Sequence, residues 1–207
     1  MILKVLERVR KIGGDGVRVV AVSKYVDAAA VAQLAQEGQL EFGENKVQDL
    51  VAKKNELKSL NLSWHFIGRL QSNKINQLLS ANPTMWQSCE SVQKALAVDA
   101  RLTCELPTLL QINSADEDSK QGFSLHSACD AWHEIGEKCK NIKLLGVMSI
   151  GAHSDEKSAV VASFEATRRL FDDLSGAKIC SMGMSGDFEI ALKCGSNMLR
   201  LGSILFK

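Results

Sequence analysis

Two hydrophobic rhythms alternate along this chain. Short runs of β-branched and apolar residues have the length and composition of strands buried on both faces. Between them lie longer stretches with apolar residues every three or four positions, the period of an amphipathic helix. Ile2, Val5, Leu6 and Val9 share one helical face, and Gly13-Gly14-Asp15-Gly16 ends that helix. Residues 18–24, Arg-Val-Val-Ala-Val-Ser-Lys, read as the first strand. Asp27 is placed to cap the next helix, which buries Val31, Leu34 and Ala35 and stops at Gly38. The pair then recurs in kind, though not in sequence. Further strands are predicted at 40–43, 63–68, 84–88, 108–113, 142–148, 178–182 and 197–201. Helices are predicted at 46–57, 72–79, 91–104, 125–138, 155–174 and 187–194, with a polar loop at 114–122.

Eight strands alternating with helices, without a long linker, predict an α/β fold: a single (β/α)8 TIM barrel of one domain, residues 1–207. The length is near the lower end for that fold. A doubly wound open sheet is the structural alternative. It usually carries a glycine-rich fingerprint after its first strand, and the residues following Lys24 have none.

Charge and cysteine usage narrow the function classes. A formal net charge of +1 points neither to a nucleic-acid polyanion nor to an acidic membrane surface. Lys53, Lys54, Lys58, Arg69 and Lys74 could line an RNA-binding face, but helical charges are usually solvated and stacking aromatics are missing. The first helix is interrupted by charge every few residues, so it reads as neither a signal peptide nor a membrane span. The six cysteines are scattered without a CxxC pair, which predicts reduced thiols and a cytoplasmic protein. The four histidines do not cluster with them, and no metal site is expected.

In such barrels the chemistry lies at the C-terminal ends of the strands. Those ends carry Lys24, Glu44, Asn45, Gly68, Arg69, Asn113, Ser149, Ser185, Arg200, Gly202 and Ser203. Lys24 ends a packed strand, so its amine is expected to be partly desolvated and nucleophilic toward an aldehyde. Gly183-Met184-Ser185-Gly186-Asp187 and Gly202-Ser203 follow the seventh and eighth strands, where these barrels commonly bind phosphate. A lysine facing a phosphate cradle across a barrel mouth is what pyridoxal 5′-phosphate (PLP) requires. Arg200 would lie near the pyridine ring and donate to its nitrogen without protonating it; the plainer reading is a salt bridge inside the barrel.

Val20-Ala21-Val22-Ser23-Lys24, Phe42-Gly43-Glu44-Asn45, Trp64-His65-Phe66-Ile67-Gly68, Leu70-Gln71-Ser72-Asn73-Lys74, Gly183-Met184-Ser185 and Arg200-Leu201-Gly202-Ser203 together resemble the pyridoxal phosphate homeostasis protein family. The match runs from about Val19 to Phe206. The resemblance implies a barrel like the N-terminal domain of alanine racemase, a Schiff base at Lys24, and phosphate contacts from Ser185, Gly202 and Ser203. It implies Arg200 at the pyridine nitrogen, Asn45 in the pocket, and His65 and Ile67 lining the ring or supporting residues that do. It also implies a monomeric protein that holds PLP within the cell's vitamin B6 pool without established catalysis, with PLP-dependent apoenzymes as acceptors. Three features depart from the family pattern: a shorter N-terminal segment, an ending at Leu205-Phe206-Lys207, and Lys46 where an aromatic residue is common. The first two leave the closure of the last helix and bottom face open.

The competing reading is a PLP-dependent amino-acid racemase. That reaction needs acid–base groups on both faces of the α-carbon. The chain's one tyrosine, Tyr25, follows Lys24 directly; a neighbour along a strand points to the opposite side, unless Tyr25 already lies in the loop.

Overall fold

The computed structural model describes residues 2–115 and 121–206. Its strands are β1 (Arg18–Val22), β2 (Glu41–Glu44), β3 (Ser63–Phe66), β4 (Met85–Cys89), β5 (Leu106–Asn113), β6 (Phe123–Ser124), β7 (Ile142–Ser149), β8 (Ile179–Ser181) and β9 (Met198–Leu201). The helices are α1 (Ile2–Gly13), α2 (Ala28–Gln36), α3 (Val47–Glu56), α4 (Ile75–Ser80), α5 (Val92–Asp99), α6 (Ala128–Lys138), α7 (Lys157–Asp173) and α8 (Phe188–Lys193). All pairings are parallel, in the order β4-β3-β2-β1-β9-β8-β7-β5, and β4 pairs with β5 to close the ring. The result is a closed eight-stranded barrel with helices between the strands. The predicted alternation holds.

Two local differences have simple causes. The two-residue β6 pairs with β5 outside the ring, between the predicted loop and helix; so short a run carries no periodicity. The stretch 72–79 divides into a 3-10 turn, Ser72–Lys74, and α4. The middle of the predicted polar loop, residues 116–120, lies outside the described residues.

Strand alternation sorts the apolar residues into two cores. Outward-facing Ala21, Phe42, Trp64, Phe66, Trp86, Leu110, Val147 and Leu199 pack beneath the helices. Inward-facing Val20, Met85, Leu109, Met148, Ile179 and Met198 form a separate cluster inside the ring. Asp27 caps α2 as predicted, accepting from the Ala30 N–H at 2.9 Å. Helix α1 is packed on the barrel: Ile2, Val5 and Val9 are buried, and Arg8 reaches Glu189 of α8 at 2.6 Å. Near the chain's other end, Leu205 is buried.

The register between β5 and β7 shifts at Thr108/Leu109. Across from that shift Gly146 adopts φ +148°, and a Cβ there would lie 1.9 Å from the Ile179 carbonyl oxygen of β8. Only glycine allows this approach, so the extra residue of β7, Leu145, and the glycine beside it belong together. Gly146→Ala should cost at least about 2 kcal/mol, on the order of 4–8 °C in Tm. Thermal unfolding followed by circular dichroism checks this; an unchanged Tm would show that β8 can move aside.

Candidate functional site

The strand C-termini open into one cavity of about 700 Å³. Lys24, Asn45, Ile67, Ser185, Arg200, Gly202 and Ser203 all line it, although they come from five separate parts of the chain. His65 does not; it is fully buried in β3, and Ile67, just past the end of that strand, takes the place at the cavity wall. Glu44, Arg69, Asn113 and Ser149 also end strands without lining the cavity. A strand end has two faces, and strand position alone does not say which one a residue takes.

Lys24 lies in the turn after β1 and is exposed, so the expected desolvation of its amine is not found. Its backbone is nonetheless tied down. The preceding Ser23 is fully buried, and its N–H donates to the Gly43 carbonyl at 3.0 Å. The Ser23 hydroxyl donates to Glu44 Oε1 at 2.7 Å. Lys53 Nζ reaches both Glu44 Oε1 and the Ser23 carbonyl at 2.6 Å. Glu44 is therefore the buried half of an ion pair that anchors the Lys24 turn from behind. Lys53, grouped above with a basic surface, is the other half. Removing one member would strand a buried charge.

Tyr25 follows Lys24 into the same turn and is 87% exposed. It therefore lines the cavity rim instead of turning away, with Lys24 Nζ 4.8 Å from its ring centre. Asn45 is held in place by a close backbone contact: a Cβ on Gly68 would lie 1.9 Å from the Asn45 carbonyl oxygen. The glycine ending Trp64-His65-Phe66-Ile67-Gly68 thus permits the Asn45 turn to sit against β3.

Ser185 links the two loops opposite. Its Oγ accepts from the Gly202 N–H at 3.1 Å and the Ile204 N–H at 3.5 Å, leaving its own hydrogen to donate. The Ser203 hydroxyl has no protein partner among the described residues. Gly183 makes this turn possible, with φ +94° and a backbone too close to Ala191 for a Cβ.

Arg200 on β9 points inward, 4% exposed. Its partners are oxygens of neutral groups, so the salt bridge considered above is not what holds it. Nη1 donates to the Ser181 carbonyl at 2.8 Å and to Ser181 Oγ at 2.7 Å; Nη2 donates to the Ser149 carbonyl at 2.7 Å. Three of the five guanidinium N–H groups are used, and the other two have no protein partner among the described residues. Burial lowers the Arg200 pKa to about 10, against the opposing pull of the Asp187 charge. A buried cation with unused donors on a cavity is a site for an acceptor atom.

The sequence reading missed the apolar rim: Val26, Ile150, Met184 and Phe206 also line the cavity. They sit in loops past the strand ends, where no period marks them. Among the described residues there is no cluster of histidine, cysteine and acidic side chains able to hold a metal, and no helix long and apolar enough to cross a membrane.

Residues 3–207 match the family model of the alanine racemase N-terminal domain. The chain is 47% identical over 194 residues to a pyridoxal phosphate homeostasis protein of Helicobacter pylori, covering 92% of this chain and 87% of that one. It is 34% identical over 207 residues to the human protein of that name, covering 91% and 75%. PipY of Synechococcus elongatus, solved with PLP bound, superposes with a TM-score of 0.88 at 28% identity, covering 100% of both chains. An alanine racemase of Clostridium difficile superposes at 0.73 with 17% identity, covering 97% of this chain and 54% of the racemase, a likeness of fold alone.

At the opposite end of the barrel Glu41 accepts from Arg18 Nη2 at 2.8 Å and lies 3.1 Å from His65 Nε2. Burial pushes the Glu41 carboxyl up, but the His65 ring and the Arg18 guanidinium beside it outweigh that and bring the pKa from 4.5 to about 2. A carboxyl lowered by folding stabilises the fold above its unfolded pKa and loses that effect as pH falls through its folded one. The stability gap between the protein and Glu41→Gln should therefore be full at pH 6 and should shrink between about pH 4.5 and pH 2. Urea unfolding at a series of pH values measures it; a gap independent of pH would assign the effect to packing.

Proposed function

The chain belongs to the pyridoxal phosphate homeostasis protein family, built on the alanine racemase N-terminal domain, and we propose that it binds pyridoxal 5′-phosphate at the barrel mouth as a carrier without catalysis of its own. One observation carries the reading. Arg200 is a buried guanidinium without a carboxylate partner among the described residues, and it offers free N–H groups to a cavity whose other walls carry the Lys24 amine and the Ser185 and Ser203 hydroxyls.

Those residue types fit the chemical parts of PLP. Lys24 is the amine for its aldehyde. Ser185, Ser203 and the backbone around Gly202 are the donors for its phosphate, on a linked pair of loops that need little ordering to bind. Arg200 is the donor for its ring nitrogen, with Asn45 and Ile67 completing the pocket. The PLP-bound relative PipY supports the same assignment at the level of the ligand.

When bound, the cofactor supplies an aldehyde that reacts reversibly with amines and a ring that draws electrons best with its nitrogen protonated. Arg200 donates a hydrogen bond but keeps its proton near neutral pH, so it holds the ring without making it a strong electron sink. Racemization would further require an acid–base group facing Lys24 across the site. Tyr25 adjoins Lys24 in the same turn, and Asn45, Ser185 and Ser203 are poor bases. The balance favours storage and release of the cofactor. The six free thiols fit a reducing, cytoplasmic setting.

Borohydride reduction of the PLP-loaded protein, followed by peptide mapping, should place the label on Lys24. Lys24→Ala should lose the reducible chromophore while keeping its Tm, because the side chain is exposed. A label on another lysine would refute the assignment. Ser185→Ala and Ser203→Ala should each weaken PLP binding by about 1–3 kcal/mol and leave pyridoxal binding nearly unchanged. An equal loss for pyridoxal would mean that the loops shape the ring pocket instead of holding phosphate. Turnover of single amino-acid enantiomers at about one per second or faster, a common enzymatic rate, and lost in Lys24→Ala, would restore the racemase.

A further inference from the structure

The barrel interior is not wholly apolar. Beneath Arg200 a hydrogen-bonded chain of polar side chains runs through it. Arg200 Nη1 donates to Ser181 Oγ at 2.7 Å, and Ser181 Oγ donates to Gln87 Oε1 at 2.9 Å. Gln87 Nε2 lies 2.9 Å from His65 Nδ1 and 3.3 Å from Met198 Sδ. The hydrogen bonds end there: His65 Nε2 lies 3.1 Å from Glu41 Oε2 in a close polar contact not aligned as a hydrogen bond, and Glu41 is bonded to Arg18 at the far rim. Ser181, Gln87 and His65 are each fully buried.

The direction of this chain follows from its ends. An arginine can only donate, so Ser181 Oγ must accept from it and send its own hydrogen on to Gln87 Oε1. The Gln87 amide then turns its NH2 toward His65 Nδ1, which must accept. The ring proton is thereby left on Nε2, facing Glu41, and an ionised carboxylate can only accept. From Arg200 to His65 Nδ1 each group has one arrangement that satisfies both neighbours; the Nε2 proton faces Glu41 at 3.1 Å without the alignment of a hydrogen bond.

Such a chain is a costly way to fill a barrel. Interiors of this fold are usually packed with branched aliphatic side chains, and a polar network stabilises only when every member is satisfied. Here it reaches the cavity through one side chain, Arg200. We propose that Ser181, Gln87 and His65, anchored by Glu41, are positioning residues that hold Arg200 so that its unused N–H groups face the ring nitrogen of the bound cofactor. This rests on the assignment of Arg200 to that nitrogen. With His65 unable to accept, Gln87 is free to flip and present its NH2 to Ser181. The Ser181 hydrogen then has no acceptor in the chain, and the seat of Arg200 loosens.

The test compares dissociation constants, in the full-length protein, for PLP and for its carbocyclic analogue in which the ring nitrogen is replaced by C–H. A hydrogen bond from a charged donor is worth about tenfold or more, so the unaltered protein should prefer PLP by at least that factor. His65→Leu and Gln87→Met should reduce the preference to about threefold or less, while His65→Gln, which can accept on one side and donate on the other, should restore most of it. The Tm of each apoprotein is recorded alongside. Should His65→Leu fail to fold, Gln87→Met decides by the same criterion. No preference in the unaltered protein would overturn the placement of Arg200. A tenfold preference there that survives in folded Gln87→Met or His65→Leu would leave that placement standing and overturn the positioning chain.

Discussion

The centre of this structure is a buried guanidinium without a counter-ion among the described residues. Leaving Arg200 inside a barrel would be costly if its donors went unmet. Two carbonyls and a hydroxyl meet three of them, and the side chain lines the cavity with its two other N–H groups unused. Much else follows from this. Ser181 must accept, Gln87 must turn, and the apolar interior is interrupted to make room for them. The cavity acquires a polar focus at its floor, and the apolar rim of Val26, Ile150, Met184 and Phe206 surrounds it.

A second anchor works from the outside of the ring. The Glu44–Lys53 pair and Ser23 fix the turn that carries Lys24, although Lys24 itself reaches solvent. The two loops opposite are joined through the Ser185 hydroxyl. A lysine, two linked loops and a buried arginine are thus brought to one cavity from separate parts of the chain, each braced by contacts behind it. An open mouth fits the carrier role proposed above better than a reaction that must be sealed from water.

Much of this was legible in the sequence because parallel strands covered by helices leave a strong period. Residues such as Lys24, Ser185, Arg200 and Ser203 then follow from the rule that strand C-termini converge. What escaped the pattern was facing. Glu44 and Asn45 are adjacent, yet Glu44 is buried against Lys53 while Asn45 lines the cavity. The motif leaves His65 either lining the ring or supporting residues that do; it is buried in the barrel interior against Gln87, off the cavity wall. The desolvation expected for Lys24 assumed that the strand continued to it; β1 ends at Val22, and the turn carries the amine outward. Nor does periodicity reveal the interior polar chain, because Gln87 and Ser181 occupy strand positions that an apolar residue would fill.

The account is tested most directly by a crystal structure of the protein loaded with pyridoxal 5′-phosphate. It predicts continuous density from Lys24 Nζ to the cofactor, the phosphate between the Ser185 and Ser203 loops, and an Arg200 N–H directed at the ring nitrogen with Ser181 still bound behind it. Density showing the phosphate at Arg200, or the ring nitrogen facing solvent with Arg200 turned away, would contradict it.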